Sequence, residues 1–238
     1  NKIINKINSK TKAIIPVHIS GRSANMREIL KISRKYNLKI VEDAAEAFFS
    51  KYNKNSFLGT LGDIGCFSLS PNKIISTGQG GFITTNNRIF YEKIKRLKDQ
   101  GRLNRGTGGN DIHNHEGYNF KFNDLLASVG LSQINKINIR KKKQIETYNF
   151  YKDNLKTKYV NLLSFKPDNC ELPLWCDAIY NSNKSKLFFN YLKKMKIPVR
   201  NFWMPINKQK IYKNFTILEN TSYISKNGFW LPSSMDLN

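Results

Sequence analysis

The sequence predicts an α/β protein with one larger lobe, built around a strand–helix–strand unit, and a smaller α+β lobe after it. Three observations carry this expectation. Two short apolar runs flank a helical stripe between residues 13 and 41. Gly-rich turns then separate further short apolar runs up to residue 85. From about Lys158 the pattern changes to short apolar segments around one good helix, Ser185 to Lys196. The chain has 238 residues, which allows one large domain or two small ones. With 39% hydrophobic and 12% aromatic residues it can bury a sizeable core, which excludes a wholly disordered chain.

Ala13-Ile-Ile-Pro-Val17 is a short apolar run and reads as a buried strand. Ser20-Gly-Arg-Ser-Ala24 follows as a loop, and Asn25 is an N-cap candidate. Met26, Ile29, Leu30 and Ile32 make a helical stripe that runs to Tyr36 and is ended by Asn37. Leu38 to Val41 is the next strand, with Glu42 and Asp43 at its C-terminal end. Such a unit implies parallel strands joined by a right-handed crossover. Gly59, Gly62 and Gly65 mark a turn region before a third strand, Cys66 to Leu69, which Pro71-Asn72-Lys73 breaks. Gly78-Gln-Gly-Gly81 turns into a fourth strand, Phe82 to Thr85. Asn86-Asn87 caps a helix reaching about Gln100, residues 102–114 read as a loop, and Asn123 or Asp124 opens one long helix towards Leu155. The expected domains are 1–140, part of a large lobe, and 141–238, a long linking helix with part of a small lobe. Both ends read as cut, with about four strands in the large-lobe sheet and an N-terminal part missing.

The formal charge of +23, from 40 Lys+Arg against 17 Asp+Glu, first points to nucleic acid or an anionic surface. The cations are nevertheless spread along a Lys/Asn/Ile-rich background, and the densest run, Arg140 to Lys143, has the look of a solvated helix face. No zinc-finger spacing or RNP-type motif accompanies them, so no nucleic-acid partner is expected. No run of about 18 apolar residues occurs, so no transmembrane helix is expected, and the opening residues lack a signal-peptide apolar region. Cys66, Cys170 and Cys176 have no CxxC spacing and read as reduced thiols in a cytoplasm. His113 and His115 alone are too few for a metal site.

Asp43, Ser68 and Lys73 fall at strand ends within the large lobe. Ligand crevices of open α/β sheets lie outside the carboxyl ends of strands, so the three can share one crevice. A Lys amine forms an imine with an aldehyde, an Asp keeps a pyridine nitrogen protonated, and a hydroxyl binds phosphate, which together fit pyridoxal phosphate chemistry. Read alone, a strand-end Asp serves equally as a cap or turn former, and one Lys among many as a surface residue.

Four ordered motifs narrow this. Val41-Glu-Asp-Ala-Ala-Glu-Ala47, Gly59-Thr-Leu-Gly-Asp-Ile-Gly65, the run from Cys66 through Ser68 and Lys73 to Gly81, and Gly117-Tyr-Asn-Phe-Lys-Phe-Asn-Asp124 resemble the DegT/DnrJ/EryC1/StrS family of nucleotide-sugar aminotransferases. The resemblance covers about residues 11–155, and less sharply Arg200 to Pro205 and Leu231 to Ser234. It implies the aspartate-aminotransferase-type fold (fold type I), a large mixed-sheet lobe and a small C-terminal lobe, in a homodimer with a composite active site. It implies pyridoxal 5'-phosphate as cofactor, carried by Lys73, which also shuttles the proton. Asp43 pairs with the pyridine nitrogen, Glu46 lies near the ring oxygen, Ser68 contacts the phosphate, and Asn119 reaches the phosphate of the neighbouring subunit. The implied reaction moves an amino group from glutamate to a nucleotide-linked keto-sugar, in cytoplasmic polysaccharide or glycan sugar synthesis. Arg200 is a candidate for the sugar diphosphate. Lys73 favours transamination over the family's deoxygenating branch, which carries His there. The chain departs from the family at Lys121-Phe122 and Gln79, and the family's N-terminal segment, which supplies a phosphate-binding helix end and a ring-stacking aromatic, reads as missing before Ala13. The rival reading is an inactive or truncated homologue with a binding or regulatory role on the same fold.

Overall fold

The computed structural model describes residues 2–102, 113, 115–166, 170–212 and 218–235. It divides into two compact units, residues 1–137 with 168–171, and residues 138–167 with 172–238.

The first unit holds a sheet of four strands: β1 (Ala13–Ile14), β2 (Lys39–Asp43), β5 (Ile64–Ser68) and β6 (Gly81–Thr84), hydrogen-bonded in that order. The first three are parallel and β6 runs antiparallel to β5, so the sheet is mixed. A small hairpin, β3 (Lys51–Asn53) with β4 (Ser56–Phe57), lies between β2 and β5 in the chain.

The β1–β2 crossover is α1 (Met26–Tyr36), whose ends are specified locally. The Asn25 side chain accepts from the Glu28 N–H, Glu28 sits in the first turn, and Arg34 and Lys35 complement the dipole in the last. Asn37 closes it in the left-handed region at φ 50°, where Asn is tolerated better than most residues. Met26 and Ile29 pack on Ile40, so alternation on β2 sends Ile40 and Glu42 to the helix-covered, buried face. Lys39, Val41 and Asp43 face the other way. A second cluster, Ala44, Ala47, Leu58 and Phe67, is completed by Phe48 and Phe82, with the Phe67 and Phe82 rings stacked at 4.5 Å.

Gly59 is needed where it stands: its φ is +82°, and a Cβ there would collide with the Phe67 ring. A Cβ at Gly65 would strike the Gly59 carbonyl, so strand and loop approach backbone to backbone.

Helix α2 (Arg88–Leu97) is capped by Asn87 and α3 (Asp124–Ile134) by Asn123. The single long helix expected from Asn123 to Leu155 is two helices, α3 and α4 (Ile137–Asn154). The Gln133 side chain accepts from the Ser76 N–H at 3.1 Å and donates back to the Ser76 carbonyl, tying down the end of α3. The Lys136 N–H then closes on Gln133, a tighter bond than the α-helical one.

The second unit contains an antiparallel sheet ordered β7 (Val160–Leu162), β8 (Cys176–Tyr180), β10 (Gly228–Leu231), β9 (Arg200–Asn201), with α5 (Ser185–Lys194) and α6 (Glu219–Asn227). Phe229 is fully buried against Phe188 and Phe189. Trp175, Trp203 and Trp230 gather into one cluster with ring separations of 4.4 to 5.9 Å.

Candidate active site

The carboxyl ends of β2 and β5 bring the expected residues into one neighbourhood. Asp43 is opposite Cys66 in the parallel register, and Ser68 stands two residues on, so Asp43, Cys66 and Ser68 share the sheet face away from α1. The Asp43 carboxylate accepts from the Ala45 N–H at 3.1 Å, which orients it at the turn. Burial pushes the Cys66 thiol up, and the neighbouring Asp43 charge adds to that, so this cysteine stays a protonated wall residue.

Past β5 the chain turns: the Ser68 and Ser70 hydroxyls lie 2.9 Å apart, and the Lys73 N–H bonds the Ser70 carbonyl at 3.1 Å. Lys73 is 11% exposed, and its Nζ stands 3.7 Å from Glu46 Oε1. The other Glu46 oxygen accepts from the Ser20 N–H at 2.9 Å. The site is therefore a nearly buried amine held by a carboxylate, beside a strand-end carboxylate and a pair of hydroxyls. These groups fit pyridoxal phosphate: an amine for its aldehyde, a carboxylate for its ring nitrogen, and small hydroxyls for its phosphate.

Asn119 and Arg200 come from other parts of the chain. Asn119 forms a β-bridge with Asp99 and lines a cavity of about 1290 Å³ with Gly80, Phe82, Lys95, Lys121 and Phe122; Lys73, Asp43 and Ser68 do not line it. Arg200 is exposed in the second unit, its guanidinium 5.2 Å from the centre of the Trp230 ring. Gly78 and Gly80 take positive φ in the turn before β6. His113 bonds the Gln100 carbonyl, and His115 lies 3.3 Å from Arg96, which fits a loop-ordering role. Most of the loop expected over 102–114 lies outside the described residues. Among the described residues no cluster of His, Cys, Asp or Glu is placed to hold a metal, and no helix is long and apolar enough to cross a membrane.

His18 and Glu42, both 0% exposed and 2.9 Å apart, are not among the residues expected at the site. Glu42 also accepts from the N–H groups of Gly59, Leu61 and Gly62. Burial pushes its carboxyl up, but the His18 and backbone hydrogen bonds together outweigh that and hold it below the usual range. Alternation held the signal: in Glu42-Asp43 at a strand end one carboxylate must point inward, where it needs donors.

The DegT/DnrJ/EryC1/StrS aminotransferase family model matches residues 1–238. The chain is 37% identical to GDP-perosamine synthase of Escherichia coli O157:H7 over 150 residues, 63% of this chain and 40% of that protein. It is 29% identical over 236 residues to the putative pyridoxal phosphate-dependent aminotransferase EpsN of Bacillus subtilis (strain 168), covering 95% of this chain and 59% of that one. Helicobacter pylori PseC, an aminotransferase involved in the biosynthesis of pseudoaminic acid, superposes with a TM-score of 0.91 at 24% identity, over 99% of this chain and 65% of that one. The fold is thus that of these enzymes, the aspartate-aminotransferase type, and the chain spans between two fifths and two thirds of the length of these three proteins. With the strand-end carboxylate, the hydroxyls and the buried amine in that order along the fold, the chain belongs to the DegT/DnrJ/EryC1/StrS aminotransferase family.

Proposed function

We propose that this protein is a pyridoxal phosphate-dependent sugar aminotransferase. It moves an amino group from glutamate to a keto-sugar linked to a nucleoside diphosphate, for glycan or surface polysaccharide synthesis in the cytoplasm. It works as a homodimer in which Asn119 of the partner subunit completes the phosphate site. The observation that carries this reading is the Lys73–Glu46 pair beside the strand end that bears Asp43. The names of the relatives support the sugar substrate.

When bound, the cofactor supplies a protonated ring that stores the electron pair of a broken C–H bond. The chain supplies the rest. Lys73 Nζ would hold the cofactor through its aldehyde carbon and, once displaced by the incoming amine, would be free to take and return the proton at the substrate carbon. The Asp43 carboxylate keeps the ring nitrogen protonated through a charge-assisted hydrogen bond. The Ser68 hydroxyl donates to the phosphate, and Glu46 fixes the direction of the Lys73 side chain. Arg200 contributes to the diphosphate of the substrate.

With pyridoxal phosphate and glutamate, the wild-type protein is expected to release about one equivalent of 2-oxoglutarate per chain, and many more once a nucleotide-linked keto-sugar is added. Lys73→Ala should release none, a loss of at least about 10⁴-fold, the scale set by removing a covalent catalyst. Turnover retained in that variant contradicts the assignment.

A further inference from the structure

The segment 16–20 grips the site from behind. The Asp43 N–H donates to the Pro16 carbonyl at 2.9 Å, and the His18 N–H donates back to the Asp43 carbonyl at 3.0 Å. The His18 ring reaches one residue further: Nε2 lies 2.9 Å from Glu42 Oε2, while Nδ1 accepts from the Ala24 N–H at 3.1 Å. An Nδ1 that accepts carries no proton, so the ring is neutral and Nε2–H donates to the carboxylate. Two residues on, the Ser20 N–H donates to Glu46, whose other oxygen faces Lys73 Nζ at 3.7 Å. Main chain and side chains of this one segment therefore touch Glu42, Asp43 and Glu46. Through Glu42 they also reach the backbone of Gly59, Leu61 and Gly62.

Replacing the whole of such a buried polar pair by well-packed apolar residues is often neutral for stability, although removing one partner alone is costly. What it fixes is direction. A carboxylate partner must be held within about 0.5 Å and 10–20° to act on its target.

We propose that His18 is a positioning residue for the cofactor-binding carboxylates. Its ring, clamped between the Ala24 N–H and Glu42, sets the end of β2 so that Asp43 meets the ring nitrogen, and sets Ser20 so that Glu46 aims Lys73. This rests on the reading of Asp43, Glu46 and Lys73 as a pyridoxal phosphate site. His18 touches neither cofactor nor substrate; it acts through residues that do.

The test compares the wild-type protein with His18→Gln, which keeps a donor for Glu42, and His18→Leu, which keeps none. Three readouts are taken: thermal midpoint, pyridoxal phosphate affinity by titration of the visible absorbance, and the position of that band. At a temperature where circular dichroism shows the variant folded, His18→Leu should bind the cofactor roughly 10- to 100-fold more weakly, the scale of a positional error near 1 Å. Its band should be displaced, and His18→Gln should lie between the two. A His18→Leu protein that melts lower yet keeps wild-type affinity and band position overturns the proposal and leaves a purely structural residue. If His18→Leu does not fold, His18→Gln decides: unchanged affinity and band overturn the proposal, and a weakened, shifted band supports it. A wild-type protein that develops no band refutes the cofactor reading itself, and this role with it.

Discussion

Glu42 is fully buried and still favours its charged form, because it accepts from the His18 ring and from the N–H groups of Gly59, Leu61 and Gly62. Its carboxyl is depressed in the folded state, so its contribution is present at pH values above the unfolded value, near 4.5, and is lost as pH falls through the folded value. Glu42→Gln keeps an acceptor but points an amide at N–H donors, and should cost about 3 kcal/mol at pH 7. Urea unfolding at pH 7 and pH 4 checks this: the gap between variant and wild type should narrow in acid, and a gap independent of pH would falsify the role of the charge. Ser20 offers the opposite kind of test. It is fully buried at φ 54°, ψ 21°, and its hydroxyl finds no hydrogen-bond partner among the described residues. Left-handed backbone costs a non-glycine residue about 1–2 kcal/mol, so Ser20→Gly should raise stability by roughly 1 kcal/mol and the melting temperature by a few degrees. A lower melting temperature would show that the serine itself is needed there.

At the scale of elements, what was legible in the sequence is what local chemistry dictates. Helix α1 could be read almost to the residue, because Asn25, the Met26–Ile29–Ile32 stripe and Asn37 each act within one turn. Strands β2 and β5 were found from apolar runs, and Asn87 and Asn123 from their capping chemistry. The hairpin β3–β4 was missed because strands of two or three residues carry no period. The break between α3 and α4 was missed because its cause is distant: Gln133 is tied to Ser76, 57 positions away in sequence. The residues of the candidate site were singled out through ordered motifs. His18 was not, since a lone histidine beside a short apolar run gives no sign of the carboxylate 24 positions on that it bonds. The direction of β6, antiparallel to β5, is not encoded within the strand, because the whole connection over residues 69–80 decides how the chain returns.

At the scale of the whole molecule, the charge of +23 describes the background rather than the site. Exposed pairs such as Lys31–Glu28 and Lys142–Glu146 are each worth no more than about 1 kcal/mol, and 17 acids cannot neutralise 40 bases, so most of the cations are solvated. A lysine in the candidate site differs from these in burial and company: Lys73 is 11% exposed and faces Glu46, at the end of a path of strands and turns shared with solved aminotransferases. In so lysine-rich a chain, pyridoxal phosphate will react weakly with many surface amines, which makes selectivity the decisive quantity. The most direct measurement is to equilibrate the protein with about one equivalent of pyridoxal phosphate, reduce the lysine–cofactor bond with borohydride, and map the modified peptides by mass spectrometry. Modification is expected to concentrate on Lys73, and to be lost in Lys73→Ala without transfer to another position. Modification spread over surface lysines with Lys73 unmarked would contradict the assignment.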